Sequence, residues 1–258
     1  MVIVSLHEFS CSHLTTITSG LARVAVGSDP AVMKVTYYGH SCLSVEVSGK
    51  TLLFDPFITP NPLAASVDYA TLHPDYILLT HGHFDHVADA EAIARLSGAR
   101  LIGNYEVLQW FGGKGIENIH PMNSGGSSDF DFGRVTFTAA VHSSSMPDGS
   151  YGGQPGGFRV ETDEGSFYHS GDTALTRDIE LIAAACPLKF AALCIGDCFT
   201  MGVKDAVTAS EWLGCNEILG IHYDTFPPIA IDHAAARAAF AKVGKNLHLM
   251  EVGAEREF

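Results

Sequence analysis

The sequence is poor in charged residues, and most of the charge that it carries is negative. Charged residues make up 17% of the 258 positions, and 15 lysines and arginines stand against 29 aspartates and glutamates, which gives a net charge of −14. No basic stripe offsets this field, and such a field repels polyanions. We therefore expect a small-molecule substrate and no nucleic-acid partner. Bound divalent cations would cancel part of the negative charge.

Other absences narrow the class of protein further. No apolar run approaches the roughly 18 residues of a membrane span, so we predict a soluble protein without a membrane partner. No linker rich in proline, serine or charge divides the chain, and the 47% of hydrophobic residues indicates a compact core. The six cysteines show no CxxC pairing, which is typical of reduced cysteines in a cytoplasmic protein. A homo-oligomer is compatible with all of this.

The first 32 residues differ from the rest of the chain. They are polar and rich in serine and threonine, they show no clear period, and they lack the basic start and apolar stretch of a secretory signal. We interpret residues 1–32 as a poorly ordered N-terminal extension. Residues 33–258 alternate between strand and helix patterns and are predicted to form one domain, with a polar loop at 122–128 and a last strand at 247–252.

The densest group of metal-competent side chains lies at residues 80–89. His81, His83, Asp85 and His86 fall between an apolar run typical of a buried strand, 76–80, and a segment with the composition of a helix, 89–96. Residues two apart in an extended segment share a face, so His81 and His83 can bind one ion, whereas Asp85 and His86 in the turn can bind a second. Imidazole nitrogens and carboxylate oxygens suit zinc, manganese or iron.

Further candidate ligands stand where other predicted strands end. His142 follows the strand predicted at 134–141, and His222 follows the strand predicted at 217–221. Asp172 follows a predicted hairpin and, taken alone, would be expected to cap the helix predicted at 175–185. Because all three repeat the strand-end pattern of the first cluster, we interpret His142 and His222 as ligands and Asp172 as a bridge between two ions.

Several other polar residues have two interpretations each. His40, at the end of the strand predicted at 34–38, either faces the site or caps the strand. Asp55 either orients a ligand imidazole or caps the Asp-Pro turn. For Asp197 and Cys198 we favour a supporting or packing role. The long glycine-rich loop at 143–157 is the candidate for substrate contact.

These residues resemble the motif set of a known superfamily. His81-Gly82-His83-Phe84-Asp85-His86, followed by His142, Ser170-Gly171-Asp172-Thr173 and His222, is similar to the metallo-β-lactamase pattern. Tyr38-Gly39-His40-Ser41, Phe54-Asp55-Pro56-Phe57 and Ile221-His222-Tyr223-Asp224-Thr225-Phe226-Pro227 resemble one branch, the metal-dependent hydrolases akin to ascorbate-6-phosphate lactonase. The resemblance covers residues 33–258 and implies an α/β hydrolase domain folded as a four-layer αβ/βα sandwich.

The resemblance also implies a ligand set for two ions. By analogy, His81, His83 and His142 hold one ion, Asp85, His86 and His222 hold the other, and Asp172 bridges them. No thiolate ligand is expected, because Asp172 stands at the position that is cysteine in one group of zinc lactamases. The implied cofactor is two divalent metal ions, with Zn²⁺ favoured over Mn²⁺ or Fe²⁺.

The implied activity is hydrolysis of a small-molecule ester, lactone or phosphodiester by a metal-bound hydroxide shared between two ions. Asp85 and Asp172 are candidates to steer this nucleophile, and His40 is a candidate proton donor or substrate contact. Related persulfide dioxygenases use a similar ligand set with one iron, so a mononuclear-iron dioxygenase is one alternative. A metal-binding scaffold without catalysis is another. The complete second ligand set favours two ions.

Overall fold

The computed structural model of the protein describes residues 32–258, which contain fourteen strands and six α-helices. The predicted N-terminal extension lies outside the described residues except for Val32, so that interpretation stays a prediction. The strands are β1 Lys34–Gly39, β2 Cys42–Val47, β3 Lys50–Phe54, β4 Tyr76–Leu79, β5 Arg100–Asn104, β6 Ile119–Met122, β7 Ser127–Phe130, β8 Gly133–Ala139, β9 Gly156–Thr162, β10 Gly165–His169, β11 Phe190–Cys194, β12 Glu217–Ile221, β13 Asn246–His248 and β14 Glu255–Glu257. The helices are α1 Phe84–Val87, α2 Ala90–Ser97, α3 Tyr105–Gly113, α4 Asp178–Ala183, α5 Val203–Trp212 and α6 His233–Lys242.

The strands form two seven-stranded sheets of the same design. The first has the order β14-β1-β2-β3-β4-β5-β6 and the second the order β13-β12-β11-β10-β9-β8-β7. In each sheet an antiparallel part is followed by four parallel strands, β3 to β6 in the first and β10 to β13 in the second. Parallel strands joined by helices bring their carboxyl ends to one edge, where loops can carry a site.

The apolar pattern of the strands explains the layers. Successive side chains of β4 point to opposite faces, and Leu78 packs in the cluster between the sheets while Ile77 and Leu79 pack against α2 and α3. Phe54 lies between the sheets, with ring centroids 6.0 Å from Phe158 and 5.9 Å from Phe167. Helices α5 and α6 cover the other face of the second sheet. The predicted four-layer αβ/βα sandwich is therefore confirmed.

Helix ends follow the capping residues in the sequence. The Asn104 side chain accepts a hydrogen bond from the Val107 N–H at 2.8 Å and begins α3, and Asp232 accepts from Ala235 at 2.9 Å and begins α6. Gly98 ends α2 at φ 74°, a left-handed conformation that glycine adopts without strain. None of the helices among residues 32–258 has the length and apolar character needed to cross a bilayer.

Two predicted elements were wrong. Residues 122–128 are not one polar loop, because Met122 ends β6 and Ser127 begins β7, both strands at the outer edges of the sheets. The last strand is not 247–252: β13 ends at His248, and β14 pairs antiparallel with β1, for example Glu257 opposite Lys34. Both errors arise because edge strands are short and polar on their exposed side, so they show little hydrophobic alternation.

Candidate metal centre

Seven predicted ligands, which are far apart in the sequence, lie together at one edge of the two sheets. His81 and His83 follow β4, His142 follows β8, Asp172 follows β10 and His222 follows β12. Asp85 and His86 lie on the single turn of α1, which begins directly after His83. Both sheets therefore contribute to the centre.

The Asp172 carboxylate is the common neighbour of the histidines. Its Oδ2 atom lies 2.9 Å from His222 Nε2 and 3.3 Å from His86 Nε2. The same oxygen lies 3.6 Å from His142 Nε2 and 3.9 Å from His81 Nε2. One oxygen atom thus contacts members of both predicted ligand sets, as a bridging ligand must. The capping role that was the alternative for Asp172 does not apply, because α4 has Arg177 at its N-cap.

The potential ligand atoms form three overlapping groups, each within 4.8 Å. One is His81, His83 and His142; a second is His40, Asp85, His86 and His222; the third is His81, His86 and Asp172. The first group is the set that was predicted for one ion. The second contains the set that was predicted for the other ion and adds His40, which no predicted set included.

Unpartnered buried atoms show that these residues fit a cation. His86 Nε2 and Asp172 Oδ1 are buried and make no hydrogen bond. A buried polar atom without a partner costs about 1–3 kcal/mol. Two such atoms in one cluster of nitrogen and oxygen donors are well explained if they bind metal ions, and this donor set suits Zn²⁺, Mn²⁺ or Fe²⁺.

Burial keeps three of the histidines in the neutral form that can bind a cation. Burial lowers the pKa of His81 well below its usual value, and burial also lowers the pKa of His83 and His142. These imidazoles are therefore neutral at pH 7 and keep a lone pair for a metal ion. Burial opposes the charged form of His86 too, but the Asp172 and Asp55 carboxylates outweigh it and hold its pKa well above the usual value.

The two carboxylates of the cluster are held in the ionised form. Burial alone would raise the pKa of Asp172, but the imidazoles of His222 and His86 bring it well below its usual value. Burial likewise opposes ionisation of Asp85, but the hydrogen bond with His40 and the charges of His86 and His40 together outweigh it, so the pKa of Asp85 is also lowered. Both side chains are anions at neutral pH, as metal ligands must be.

Asp55 and Thr80 support one histidine from each ligand set. Asp55 Oδ2 lies 2.8 Å from His86 Nδ1 and accepts a hydrogen bond from the Thr80 hydroxyl at 2.7 Å. The Thr80 oxygen lies 3.0 Å from His81 Nδ1. Since the Thr80 hydrogen is donated to Asp55, its oxygen accepts from His81. His81 then carries hydrogen on Nδ1 and keeps the Nε2 lone pair for an ion, and His86 does the same once its imidazolium has lost the Nε2 proton. Asp55 is therefore placed to orient ligand imidazoles, rather than only to cap its turn.

His40 faces the cluster but is not accessible from outside. Its side chain is fully buried, with Nε2 3.1 Å from Asp85 Oδ2 and Nδ1 3.0 Å from Thr225 Oγ1. Burial lowers the pKa of His40 to about 4. The ring is therefore neutral at pH 7, and both nitrogens already have partners. The His40 side chain therefore does not cap its strand.

The loop predicted at 143–157, which in the structure ends at Pro155 because β9 begins at Gly156, lies against the turn that carries His81 and His83. The Ser144 hydroxyl accepts from the Gly82 N–H at 3.1 Å and donates to the Gly152 carbonyl at 2.8 Å. A Cβ atom at Gly82 would lie 2.5 Å from Met146 Sδ, so this close approach requires glycine. Ser143 Oγ lies 3.4 Å from His83 Nε2, which puts the loop beside the centre, as a substrate-contact loop would be.

Sequence reasoning missed Thr80 and Thr225, whose hydroxyls touch ring nitrogens of His81 and His40. Thr80 directly precedes the cluster and could have been suspected, because a hydroxyl at a strand end is a usual partner of a ligand imidazole. Asp197 and Cys198 belong to none of the three ligand groups. They lie instead at exposed positions on a cleft of about 1030 Å³ beside α5 and α6, so the supporting or packing role that was favoured stays a prediction.

Comparison with known proteins identifies the class to which this protein belongs. Residues 50–223 match the β-lactamase superfamily domain. The solved structure of Igni18, described as a metallo hydrolase from the archaeon Ignicoccus hospitalis, is 33% identical and superposes with a TM-score of 0.80, covering 88% of this chain and 98% of its own. Fold and centre thus define a metal-dependent hydrolase of the metallo-β-lactamase fold.

The named relatives identify a more specific family within this superfamily. A UPF0173 metal-dependent hydrolase of Flavobacterium johnsoniae is 51% identical over 221 residues, 86% of this chain and 98% of the relative. Another from Christiangramia forsetii is 50% identical over 222 residues, with the same coverage of 86% and 98%. The chain belongs to the UPF0173 metal-dependent hydrolases of the β-lactamase superfamily, which confirms the predicted superfamily and that the protein is an enzyme.

Proposed function

We propose that the protein hydrolyses a small-molecule ester, lactone or phosphodiester with two divalent metal ions. His81, His83 and His142 bind one ion, Asp85, His86 and His222 bind the other, and Asp172 bridges them. The contact of Asp172 Oδ2 with four imidazoles, two from each set, carries this proposal. Zn²⁺ is the ion that we favour, since imidazole and carboxylate ligands suit it well, with Mn²⁺ or Fe²⁺ as the alternatives.

When bound, the ions lower the pKa of a water from about 15.7 toward about 7 and polarise the attacked carbonyl or phosphoryl oxygen. The exposure of each side chain indicates which role we assign to it. Asp172 is only 2% exposed, so we assign it to bridging. Asp85 is 26% exposed and His142 13%, so a substrate reaches the centre from their side. Asp85 is therefore the carboxylate that can steer a water toward the substrate.

The surroundings of this open side favour a small organic substrate. Phe84, between His83 and Asp85, is 53% exposed and offers an apolar surface beside the ions. The loop at 143–157 provides hydroxyl groups, including that of Ser143. We also propose a cytoplasmic location, since the five cysteines among the described residues are all free thiols.

Metal content and substrate class can be tested on the purified protein. We expect two transition-metal ions per chain by elemental analysis after purification without added metal. A screen of lactone, phosphodiester and thioester model substrates, with Zn²⁺, Mn²⁺ or Fe²⁺ supplied, should then reveal hydrolysis. Oxygen uptake is measured in parallel. One iron per chain together with oxygen consumption would replace the proposal with the mononuclear-iron dioxygenase.

A double variant tests the ligand assignment. His83→Ala combined with Asp172→Ala removes one ligand of the first ion and the bridge, so we expect loss of both metal uptake and turnover. His73→Ala combined with Asp163→Ala is the matched control, because it removes the same two residue types from exposed positions. A folded double variant at positions 83 and 172 that still hydrolyses substrate would contradict the assignment.

A further inference from the structure

Two buried side chains stand behind the Asp85 carboxylate and belong to neither predicted ligand set. His40 Nε2 lies 3.1 Å from Asp85 Oδ2, and His40 Nδ1 lies 3.0 Å from Thr225 Oγ1. The His40 ring is fully buried and Thr225 is 7% exposed. The three side chains form a continuous chain of polar contacts from the loop after β12 to the centre.

The chemistry of the partners assigns the hydrogen atoms. A neutral imidazole has one N–H donor and one acceptor nitrogen, and an ionised carboxylate can only accept. Next to Asp85, His40 Nε2 must therefore carry the hydrogen, which leaves Nδ1 as the acceptor for the Thr225 hydroxyl. The other acceptor near this hydroxyl is the Tyr223 carbonyl at 3.3 Å, which is farther away than Nδ1.

The backbone of His40 fixes the ring in this place. The His40 carbonyl accepts from the Tyr37 hydroxyl at 3.1 Å and from the His222 N–H at 2.9 Å. His40 and His222 both have left-handed backbones, at φ 56° and 55°. Two turns with left-handed residues, from different sheets, are thus bonded to each other, and the His40 ring packs against the His222 ring with centroids 4.1 Å apart.

We propose that Thr225 and His40 are positioning residues that orient the Asp85 carboxylate toward the second ion, with Thr225 setting the Nε2–H tautomer of His40. This inference rests on the proposed two-ion function. It replaces the role of His40 as proton donor or substrate contact, since its ring is buried and both nitrogens are occupied. Within residues 32–258, the side-chain hydrogen bonds of His40 and Thr225 do not reach the first group of His81, His83 and His142.

A rival role for His40 is direct ligation, because its ring nitrogen lies within 4.8 Å of the ligand atoms of Asp85, His86 and His222. The two roles require opposite tautomers. A ligand needs the Nε2 lone pair and would carry hydrogen on Nδ1, whereas a positioning residue carries it on Nε2. Histidine ¹⁵N long-range NMR spectra of the metal-free and the zinc-loaded protein distinguish them, and we expect the Nε2–H form in both.

Thr225→Val tests the hydroxyl, because it removes the donor and keeps the branched shape. The measurement is a stepwise Zn²⁺ titration of the metal-stripped full-length protein in competition with a chromophoric chelator. Loss of a group that orients a ligand typically lowers metal affinity by about 10–100-fold. We expect that loss in one binding step only, the step that fills the site of Asp85, His86 and His222, together with a mixture of His40 tautomers. We expect Thr225→Ser to restore both the affinity and the single tautomer. Circular dichroism and the thermal midpoint check folding.

Three results would overturn the inference: unchanged affinity in Thr225→Val, an equal loss in both binding steps, or a Nδ1–H tautomer of His40 in the zinc-loaded wild type. Failure of the proposed two-ion function would give a different result from failure of this inference. A wild type that binds a single Zn²⁺ ion refutes the two-ion centre, while the tautomer of His40 in the metal-free protein still tests the contact chain by itself.

Discussion

Replacing Asp55 with asparagine tests whether one buried carboxylate supports both ions. Asp55 is fully buried, and its Oδ2 atom accepts hydrogen bonds from the Thr80 hydroxyl and from His86 Nδ1. Its Oδ1 accepts from the Thr80 N–H at 2.8 Å. In Asp55→Asn the amide oxygen can still accept from the Thr80 N–H. The amide NH₂ then faces two groups that also donate, the Thr80 hydroxyl and His86 Nδ1. Asparagine tolerates the backbone φ of 41°, so the conformation is preserved.

The expected magnitude follows from these contacts. To accept from the amide, His86 must move its hydrogen to Nε2, where it points toward Asp172 at 3.3 Å and blocks a metal ion. The Thr80 hydroxyl turns to His81 Nδ1 and drives the same change there. We expect each Zn²⁺ binding step to weaken by about 10–100-fold, or about 1.4–2.7 kcal/mol. The free energy of unfolding of the metal-free protein should fall by about 1–3 kcal/mol.

The assay combines stepwise Zn²⁺ titration with urea unfolding of the metal-stripped protein. Asp89→Asn is the matched control. Asp89 is also buried, and its Oδ2 accepts from the Ile58 and Thr59 N–H groups at 2.7 and 3.0 Å, but it contacts no ligand histidine. That variant should lose about 1 kcal/mol of stability and no Zn²⁺ affinity. If Asp55→Asn binds two ions as tightly as the wild type, the tautomer argument is wrong.

Two further predictions concern protons and packing. The pKa of His86 is raised in the metal-free protein, so its imidazolium must lose a proton before an ion binds. Zn²⁺ affinity should therefore rise with pH, with proton release visible by calorimetry in buffers of different ionisation heat; a pH-independent affinity would refute this. Gly82→Ala should weaken Zn²⁺ binding at the site of His81 and His83 and lower the free energy of unfolding by about 1–3 kcal/mol, because its Cβ would meet Met146. Gly113→Ala, with open space around its Cβ, should change neither quantity, and equal behaviour of the two variants would refute the packing argument.

The clustering of the candidate ligands could be predicted because they stand at strand ends. His81 and His222 each follow an apolar run of the kind that marks the central strands of a buried parallel sheet, and His142 follows β8, an antiparallel strand whose alternating pattern is also visible in the sequence. The order in which sheets pair cannot be read from such runs, so the meeting of β4, β10 and β12 at one edge rested on the resemblance. The edge strands β6, β7 and β14 were missed, since exposed edges need no apolar alternation.

The supporting residues were harder to predict for a physical reason. Asp55 could be suspected because a carboxylate is a common partner of a ligand imidazole. A hydroxyl such as that of Thr225 lies in a loop without a period, and its role depends on whether a ring nitrogen comes within about 3 Å of it. That distance is set by the left-handed turns at His40 and His222, and φ values of this kind in non-glycine residues are not visible in a sequence.

The distribution of burial separates the chemistry of the centre from the choice of substrate. His81, His86, Asp172 and His222 are at most 2% exposed and form its inner wall, so a change of substrate cannot be accommodated there. The accessible wall consists of His83, His142 and Asp85, flanked by the exposed ring of Phe84 and by the loop at 143–157. Because Ser144 and Gly82 fasten this loop to the ligand turn, its exposed side chains can vary while the ligand positions stay fixed. We therefore expect specificity to depend on Phe84 and the loop, and turnover to depend on the ligands of both walls.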